Sequence, residues 1–127
     1  VVEGICFHMR WMLERQELKT TKYQKSKTVR FCGGGALGET TCQILADILQ
    51  REVVVVESPQ NIGAVGAAAC IAVGMGAIPS IFDVKKLIPV KTTYKPNPAN
   101  KAVYDRNFKV FKNLYKANKE NFAILNG

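Results

Sequence analysis

The chain has 127 residues, 47% of them hydrophobic, and a formal net charge of +8. This length suits a single domain with its own core. No apolar run approaches the roughly 20 residues that a membrane-spanning helix needs, and no signal-peptide pattern is visible. We therefore expect a cytoplasmic protein without a membrane partner.

A helix is predicted over residues 1–18, because apolar residues recur at helical spacing from the first positions. These residues are Val2, Ile5, Cys6, Met9, Met12 and Leu13. The pattern is already in phase at the start, where the chain begins with Val1 and not with methionine. We therefore expect a fragment of a longer protein. A polar, basic loop follows over residues 19–27.

The next segment carries the strongest functional signal. A predicted strand over residues 28–32 runs into Gly33-Gly34-Gly35-Ala36, followed by a helix over about 37–50 and a strand over 53–57. Three glycines remove every Cβ from the turn, so a flat or anionic ligand can approach the backbone closely. The order of strand, glycine loop, helix and strand is typical of nucleotide sites. We expect two parallel neighbouring strands with a nucleotide site at the loop.

Small residues dominate the next predicted helix, over residues 62–75, where Gly63 and Gly66 suit close packing against the sheet. A short helix near 81–87 follows, and Ser80 and Asp83 have the spacing of a capping box at its start. We interpret Gly63 and Gly66 as positions for close packing and not as ligand contacts.

An extended linker is predicted over residues 89–96, and beyond residue 75 we expect only helices and loops. Asn97 as N-cap and Pro98 at the first helical position open a last helix that continues to about residue 123. Its aromatic residues keep helical spacing: Tyr104, Phe108, Phe111, Tyr115 and Phe122.

Most of the net charge lies in residues 83–127, which hold ten Lys or Arg against three acids. We interpret the last helix as amphipathic, with a buried aromatic face and a solvated lysine face. Nucleic acid is not an expected partner, because no stacking platform or reading motif accompanies the charge.

The four cysteines, Cys6, Cys32, Cys42 and Cys70, form no C-x-x-C pair, and the chain has one histidine, His8. Metal sites need clustered ligands, so no metal site is expected. Each cysteine falls in an apolar element, which predicts buried free thiols in a reducing compartment. We assign His8 a structural role.

A second interpretation of the glycine loop is a Rossmann-like dinucleotide-binding domain of an oxidoreductase. Gly33-x-Gly35-x-x-Gly38 fits the dinucleotide fingerprint, and Glu57 lies close to the position of the ribose-binding acid. Against it, a helix precedes the first strand and no third strand follows Glu57. Two strands are too few to hold both halves of a dinucleotide.

Three motifs together resemble the C-terminal domain of FGGY-type carbohydrate kinases. They are Phe31-Cys32-Gly33-Gly34-Gly35-Ala36, Gln43-Ile44-Leu45-Ala46-Asp47-Ile48-Leu49 and Gly63-Ala64-Val65-Gly66-Ala67-Ala68. The resemblance covers nearly all of the chain and is strongest to the members that phosphorylate D-xylulose. One departure is Gly38, a weaker helix N-cap than the serine common in that family.

The resemblance implies an α/β fold, a partial ribonuclease H-like (actin-like ATPase) domain with two parallel strands flanked by helices. Residues 1–127 would be a single C-terminal nucleotide-binding domain whose partner is the N-terminal domain of the same two-domain kinase. The implied reaction is phosphorylation of a ketose, D-xylulose, with ATP and Mg²⁺. The family's aspartate base lies outside this segment, so we expect no catalytic residue in it and no activity from it alone.

By the same resemblance, Gly34, Gly35 and Ala36 contact the adenosine of ATP, and Gly33 shapes the turn. Glu39 has two interpretations, a contact with the ribose or base and an acid favoured by the helix dipole. We interpret Glu57 as a strand-end acid. A two-stranded sheet leaves an open edge, and we also expect the fragment to form homo-oligomers through that edge or through apolar surface left by the absent half.

Overall fold

A computed structural model describes residues 1–19 and 26–127 of the chain. Its helices are α1 (Val2–Lys19), α2 (Glu39–Leu49), α3 (Ile62–Gly74), α4 (Val84–Leu87), α5 (Lys101–Ala117) and α6 (Lys119–Asn126). Its strands are β1 (Thr28–Phe31), β2 (Glu52–Val56) and β3 (Val90–Tyr94). Of the basic loop predicted over residues 19–27, residues 20–25 lie outside the described residues.

The strands form one mixed sheet in the order β1-β2-β3. β1 and β2 are parallel, with Val29 opposite Val53 and Phe31 opposite Val55, so the predicted pair of parallel neighbours is confirmed. β2 is central and buries Val53, Val55 and Val56. A run of β-branched residues is typical of a central strand, and Val53 and Val55 belong to the core cluster.

Two predictions were wrong: that only helices and loops follow residue 75, and that the sheet has two strands. β3 pairs antiparallel with β2, with Val53 opposite Tyr94 and Val54 opposite Thr93. Its sequence, Val-Lys-Thr-Thr-Tyr, is rich in residues that favour strands. The flanking prolines predict an extended segment, which alone could be a linker or an edge strand. It becomes a strand because it pairs with β2.

The core lies where α1, α2 and α5 meet one face of this sheet. Its most deeply buried side chains are Cys6, Cys42, Leu45, Ile48, Val53 and Val55. Phe108 of α5 is buried and stacks on Phe7 of α1, with 6.1 Å between ring centroids. The predicted aromatic face of the last helix is therefore confirmed at Phe108, whereas Tyr115 and Phe122 are exposed.

Arg10 joins three helices at the edge of this core. From α1 its Nη1 donates to the carbonyl oxygen of Ile48 in α2 at 3.1 Å, and its Nη2 lies 2.8 Å from the carboxylate of Asp105 in α5. Its guanidinium carbon lies 4.3 Å from the centroid of the Phe108 ring. A planar, permanently charged group suits this position because it combines ionic, hydrogen-bonding and stacking contacts.

The predicted last helix is interrupted. Asn97 accepts a hydrogen bond from the backbone N–H of Ala99 and caps a 3₁₀ turn over Pro98–Asn100, as the N-cap prediction requires. α5 then ends at Ala117, and α6 begins at Lys119 after Asn118. The carbonyl of Leu114 accepts from both the side chain and the backbone N–H of Asn118, so Asn118 caps the end of α5.

The prediction that α3 packs closely through Gly63 and Gly66 was wrong, within the described part of the chain. A Cβ added at either glycine meets no atom within 4 Å, and of α3 only Ala69 is buried. Small residues permit close approach but do not supply the neighbour that makes it.

Two of the four thiols also contradict the prediction of buried cysteines. All four cysteines are free, and Cys6 and Cys42 are buried, but Cys32 and Cys70 are exposed. Cys32 follows the end of β1, and Cys70 lies on the open side of α3, so neither has the neighbours that its apolar sequence context suggests.

Candidate functional site

The glycine loop lies between the end of β1 and the start of α2. Gly33 has φ +90°, a backbone conformation that L side chains rarely adopt. Its carbonyl accepts a hydrogen bond from the N–H of Ala36 at 3.1 Å, within a 3₁₀ turn over Gly34–Leu37. Positive φ thus occurs at Gly33 and not at Gly35, and Gly33 makes the bend.

A second loop lies directly against the first. The N–H of Gly33 donates to the carbonyl of Pro59 at 2.8 Å, which ties the loop after β1 to the loop after β2. Pro59 is buried, and Ser58 before it has φ +45°. Sequence reasoning missed this contact, although parallel pairing alone places the ends of β1 and β2 at one edge of the sheet.

The floor of the loop is packed. Ala36 is buried, and its carbonyl accepts from the Cys42 thiol with Sγ 3.5 Å away. Burial raises the pKa of the Cys42 thiol, so it remains a protonated donor and not a nucleophile. Beneath Gly35, an added Cβ would lie 3.2 Å from Cζ of Phe31.

The outer surface of the loop is open. Gly34 and Gly35 are exposed, and a Cβ added at Gly34 meets nothing within 4 Å. A ligand could therefore lie against this backbone without displacing any described side chain. The carboxyl edge of a parallel strand pair is the usual ligand position in open α/β sheets.

Electrostatics at this edge disfavour a phosphate on the first turn of α2. Gly38 is the N-cap and makes no side-chain capping bond, and Glu39 begins the helix with an exposed carboxylate. The helix dipole favours one anion at this position, and Glu39 already supplies it. A neutral group that donates hydrogen bonds, such as a ribose hydroxyl or a base amine, suits Glu39 better. Glu57 is exposed beyond the end of β2.

Asp47 is a buried carboxylate outside this loop. Its Oδ1 accepts from Gln43 Nε2 and from the N–H of Asn97, both at 2.8 Å, and its Oδ2 accepts from Asn100 Nδ2 at 2.7 Å. Asp47 thus ties α2 to the turn before α5. Within residues 1–19 and 26–127, no group of three or more metal-ligating side chains is close enough to hold a metal ion.

Residues 1–75 match the sequence model of the FGGY family of carbohydrate kinases, C-terminal domain. Over 122 residues the chain is 32% identical to a xylulose kinase of Lactococcus lactis subsp. lactis (strain IL1403), covering 94% of this chain and 24% of that protein. Over 94 residues it is 35% identical to an autoinducer-2 kinase of Salmonella paratyphi A (strain ATCC 9150 / SARB42), covering 72% and 17%. The chain belongs to the FGGY family of carbohydrate kinases.

The fold agrees with this membership. The structure of a ligand-bound xylulose kinase from Lactobacillus acidophilus superposes with a TM-score of 0.79 at 19% identity, covering 98% of this chain and 25% of that one. The predicted α/β, actin-like ATPase class is confirmed, with a mixed sheet in place of two strands. The comparisons give no support to the dinucleotide-binding alternative.

The chain spans about a quarter of the length of the curated xylulose kinases it matches. Among the described helices, none combines the length and the apolar character that crossing a membrane requires.

Proposed function

We propose that residues 1–127 are the C-terminal, nucleotide-binding domain of a cytoplasmic, ATP-dependent sugar kinase that converts D-xylulose to D-xylulose 5-phosphate. Family membership supports phosphoryl transfer to a sugar, and the xylulose kinase of Lactococcus lactis supports the ketose. The observation that carries the proposal is the open backbone of Gly34 and Gly35 at the carboxyl edge of β1.

In this proposal the loop binds the adenosine end of ATP. Gly34, Gly35 and Ala36 contact the nucleoside, while Gly33 holds the turn in shape by its positive φ. The carboxylate of Glu39 lies at the first turn of α2 and would repel a phosphate there. Glu39 therefore accepts a hydrogen bond from a neutral donor, a ribose hydroxyl or a base amine. A backbone surface without side chains suits a flat base, which gains contact over its whole face.

Phosphoryl transfer needs positioning, charge neutralisation and a base that accepts the hydroxyl proton. We assign only positioning to this chain, with Mg²⁺ entering as the ATP complex. Both carboxylate oxygens of Asp47 accept structural hydrogen bonds, so it is not the base. The base and most of the sugar site belong, in this proposal, to the N-terminal domain of the same kinase.

The test is Gly34→Val in the full-length kinase. A Cβ at this position meets no atom within 4 Å, so we expect the new side chain to obstruct a ligand while the protein still folds. We expect the KM for ATP to rise at least about tenfold, a loss of ~1.4 kcal/mol, while the KM for D-xylulose stays within about twofold of its original value, a change of under ~0.5 kcal/mol.

Gly74→Val is the matched control, because Gly74 also faces open space but ends α3. It should leave the KM for ATP unchanged. An unchanged KM for ATP in Gly34→Val, with an unaltered melting temperature, would exclude the loop as the adenosine site. Saturable NAD binding that Gly34→Val abolishes would restore the dinucleotide interpretation.

A further inference from the structure

A cavity of about 610 Å³ lies between α1 and α5, and no residue of the glycine loop lines it. Volumes of roughly 300–1,000 Å³ are typical of sites for small molecules. Nothing in the proposed kinase chemistry uses this cavity.

The charge of its wall is strongly one-sided. Four cationic side chains line the cavity: Arg15, Lys109, Lys112 and Lys116. The acid beside them is Glu14, whose Oε1 already accepts from Arg10 Nε at 3.0 Å. Within the described part of the chain, none of the four cations pairs with a carboxylate. Uncompensated like charges repel one another, and a multiply charged anion would relieve that repulsion.

The helical register of α5 explains why these charges converge. Lys109, Lys112 and Lys116 follow the i, i+3, i+7 spacing of a single helix face. The Nζ of Lys112 lies 4.5 Å from the centroid of the Phe108 ring, which fixes its stem against the core. Part of the lysine face, which the sequence predicts to be solvated, therefore forms the wall of a cavity.

Trp11 gives the same cavity an aromatic wall. It is half-buried and held edge-on by Phe111 and Tyr115, with ring centroids 6.4 and 5.3 Å away. Cationic side chains beside a fixed aromatic ring are suited to a small molecule with an anionic end and a carbon skeleton.

We propose that the cavity between α1 and α5 binds a small, multiply charged phosphate compound. Arg15, Lys109 and Lys116 contact the phosphate oxygens, and Trp11 flanks the remainder of the ligand. The cavity is partly open to solvent, but its limited volume and its aromatic wall favour a small molecule over an extended nucleic acid. A nucleic acid needs a longer groove and a row of stacking platforms.

The test is titration of the full-length protein with inorganic pyrophosphate near physiological salt, followed by calorimetry and by tryptophan emission. Trp11 is the single tryptophan of this chain, so the emission change that Trp11→Phe removes reports on this cavity. We expect saturable binding that Lys109→Gln and Lys116→Gln each weaken about five- to tenfold, and that rising ionic strength also weakens.

Arg106→Gln is the matched control, since it removes an exposed charge from α5 outside the cavity. It should leave the affinity unchanged. The proposal fails if pyrophosphate does not saturate the protein, if Arg106→Gln weakens binding as much as Lys109→Gln does, or if Trp11 emission does not respond. It also fails if single-stranded RNA binds at this face and pyrophosphate does not displace it.

Discussion

Asp47 connects two parts of the chain that are far apart in sequence, α2 and the turn before α5. Asp47 as a residue is 4% exposed, and its carboxylate accepts three hydrogen bonds, from Gln43, Asn97 and Asn100. A buried carboxylate is tolerated only when its oxygens are satisfied. The same bonds remove it from chemistry, which is why a mid-helix aspartate in a kinase domain is here a structural residue.

Asp47→Ala should lower the free energy of unfolding by about 2–3 kcal/mol, because it leaves the partner groups without their charged acceptor. Urea denaturation measures this loss. Gln43→Ala is the control: it removes one of the three donors to Asp47 and a bond to the carbonyl of Lys95 but leaves the carboxylate in place. It should cost about 1 kcal/mol. Equal losses for the two variants would show that the buried carboxylate stabilises no more than an ordinary hydrogen bond does.

For single residues, the sequence predicts local backbone shape better than it predicts tertiary contacts. Three successive glycines predict a turn of bare backbone, and the positive φ of Gly33 shows why a glycine stands at that position. The hydrogen bond from Gly33 to Pro59 and the contact between Phe31 and Gly35 depend on tertiary packing. No local pattern encodes such contacts, because they join residues whose spacing in the chain has no period.

Among the elements, α1 and α5 are held together by a charge cluster at their crossing. Asp105 pairs with Lys101 in its own helix and with Arg10 of α1. Its Oδ1 lies 2.8 Å from Arg10 Nη2 but, among the described residues, accepts no well-angled hydrogen bond, so this contact is ionic. The hydrogen bond from Lys101, and then the Arg10 guanidinium, hold the pKa of Asp105 below its ordinary value.

A lowered folded-state pKa stabilises the fold above the unfolded-state pKa, about 3.9 for Asp. This stabilisation is lost as the pH falls through the folded-state value. We expect Asp105→Asn to lower the melting temperature at pH 7, and the difference from wild type to shrink on acidification below about pH 4. Thermal melts at a series of pH values measure it.

Asp83→Asn provides the control, since Asp83 pairs with Lys86 at an exposed site within one short segment. Its difference from wild type should be small throughout. A difference for Asp105→Asn that stays constant from pH 7 to pH 3 would contradict the assignment.

Helices were predicted better than the third strand for a physical reason. Side chains at helical spacing in α1 and α5 reveal a buried face within one segment. β3 carries a weaker signal, because exposed and half-buried side chains alternate over only four of its residues and none of them is fully buried. Only its pairing with β2 identifies it, and that partner lies far earlier in the chain.

For the whole molecule, the arrangement of the sheet bears on self-association. β1 and β3 are edge strands, and β1 exposes Thr28 and Arg30. Unpaired edges are templates for pairing with a second chain. We expect the isolated 14.0 kDa chain to associate as its concentration rises, with protection of the β1 amides in the associated form.

Sedimentation and hydrogen exchange over a concentration series measure this association. A mass that stays monomeric at millimolar concentration, with β1 amides exchanging freely, would contradict association through this edge. Association without protection of β1 would assign the contact to another surface, of which the open side of α3 is one.

The position of β3 also determines how much chain is needed for cooperative folding. The segment that matches the family model ends at residue 75, yet β3 and Phe108 lie beyond it. A shorter piece ending there would leave one side of β2 unpaired and Phe7 without its stacked partner. Chain closure between Val53 and Tyr94 carries an entropic cost, which the pairing of β3 with β2 and the packing of α5 on α1 offset. The segment that the family model matches is therefore shorter than the segment that builds this sheet and its helix pair.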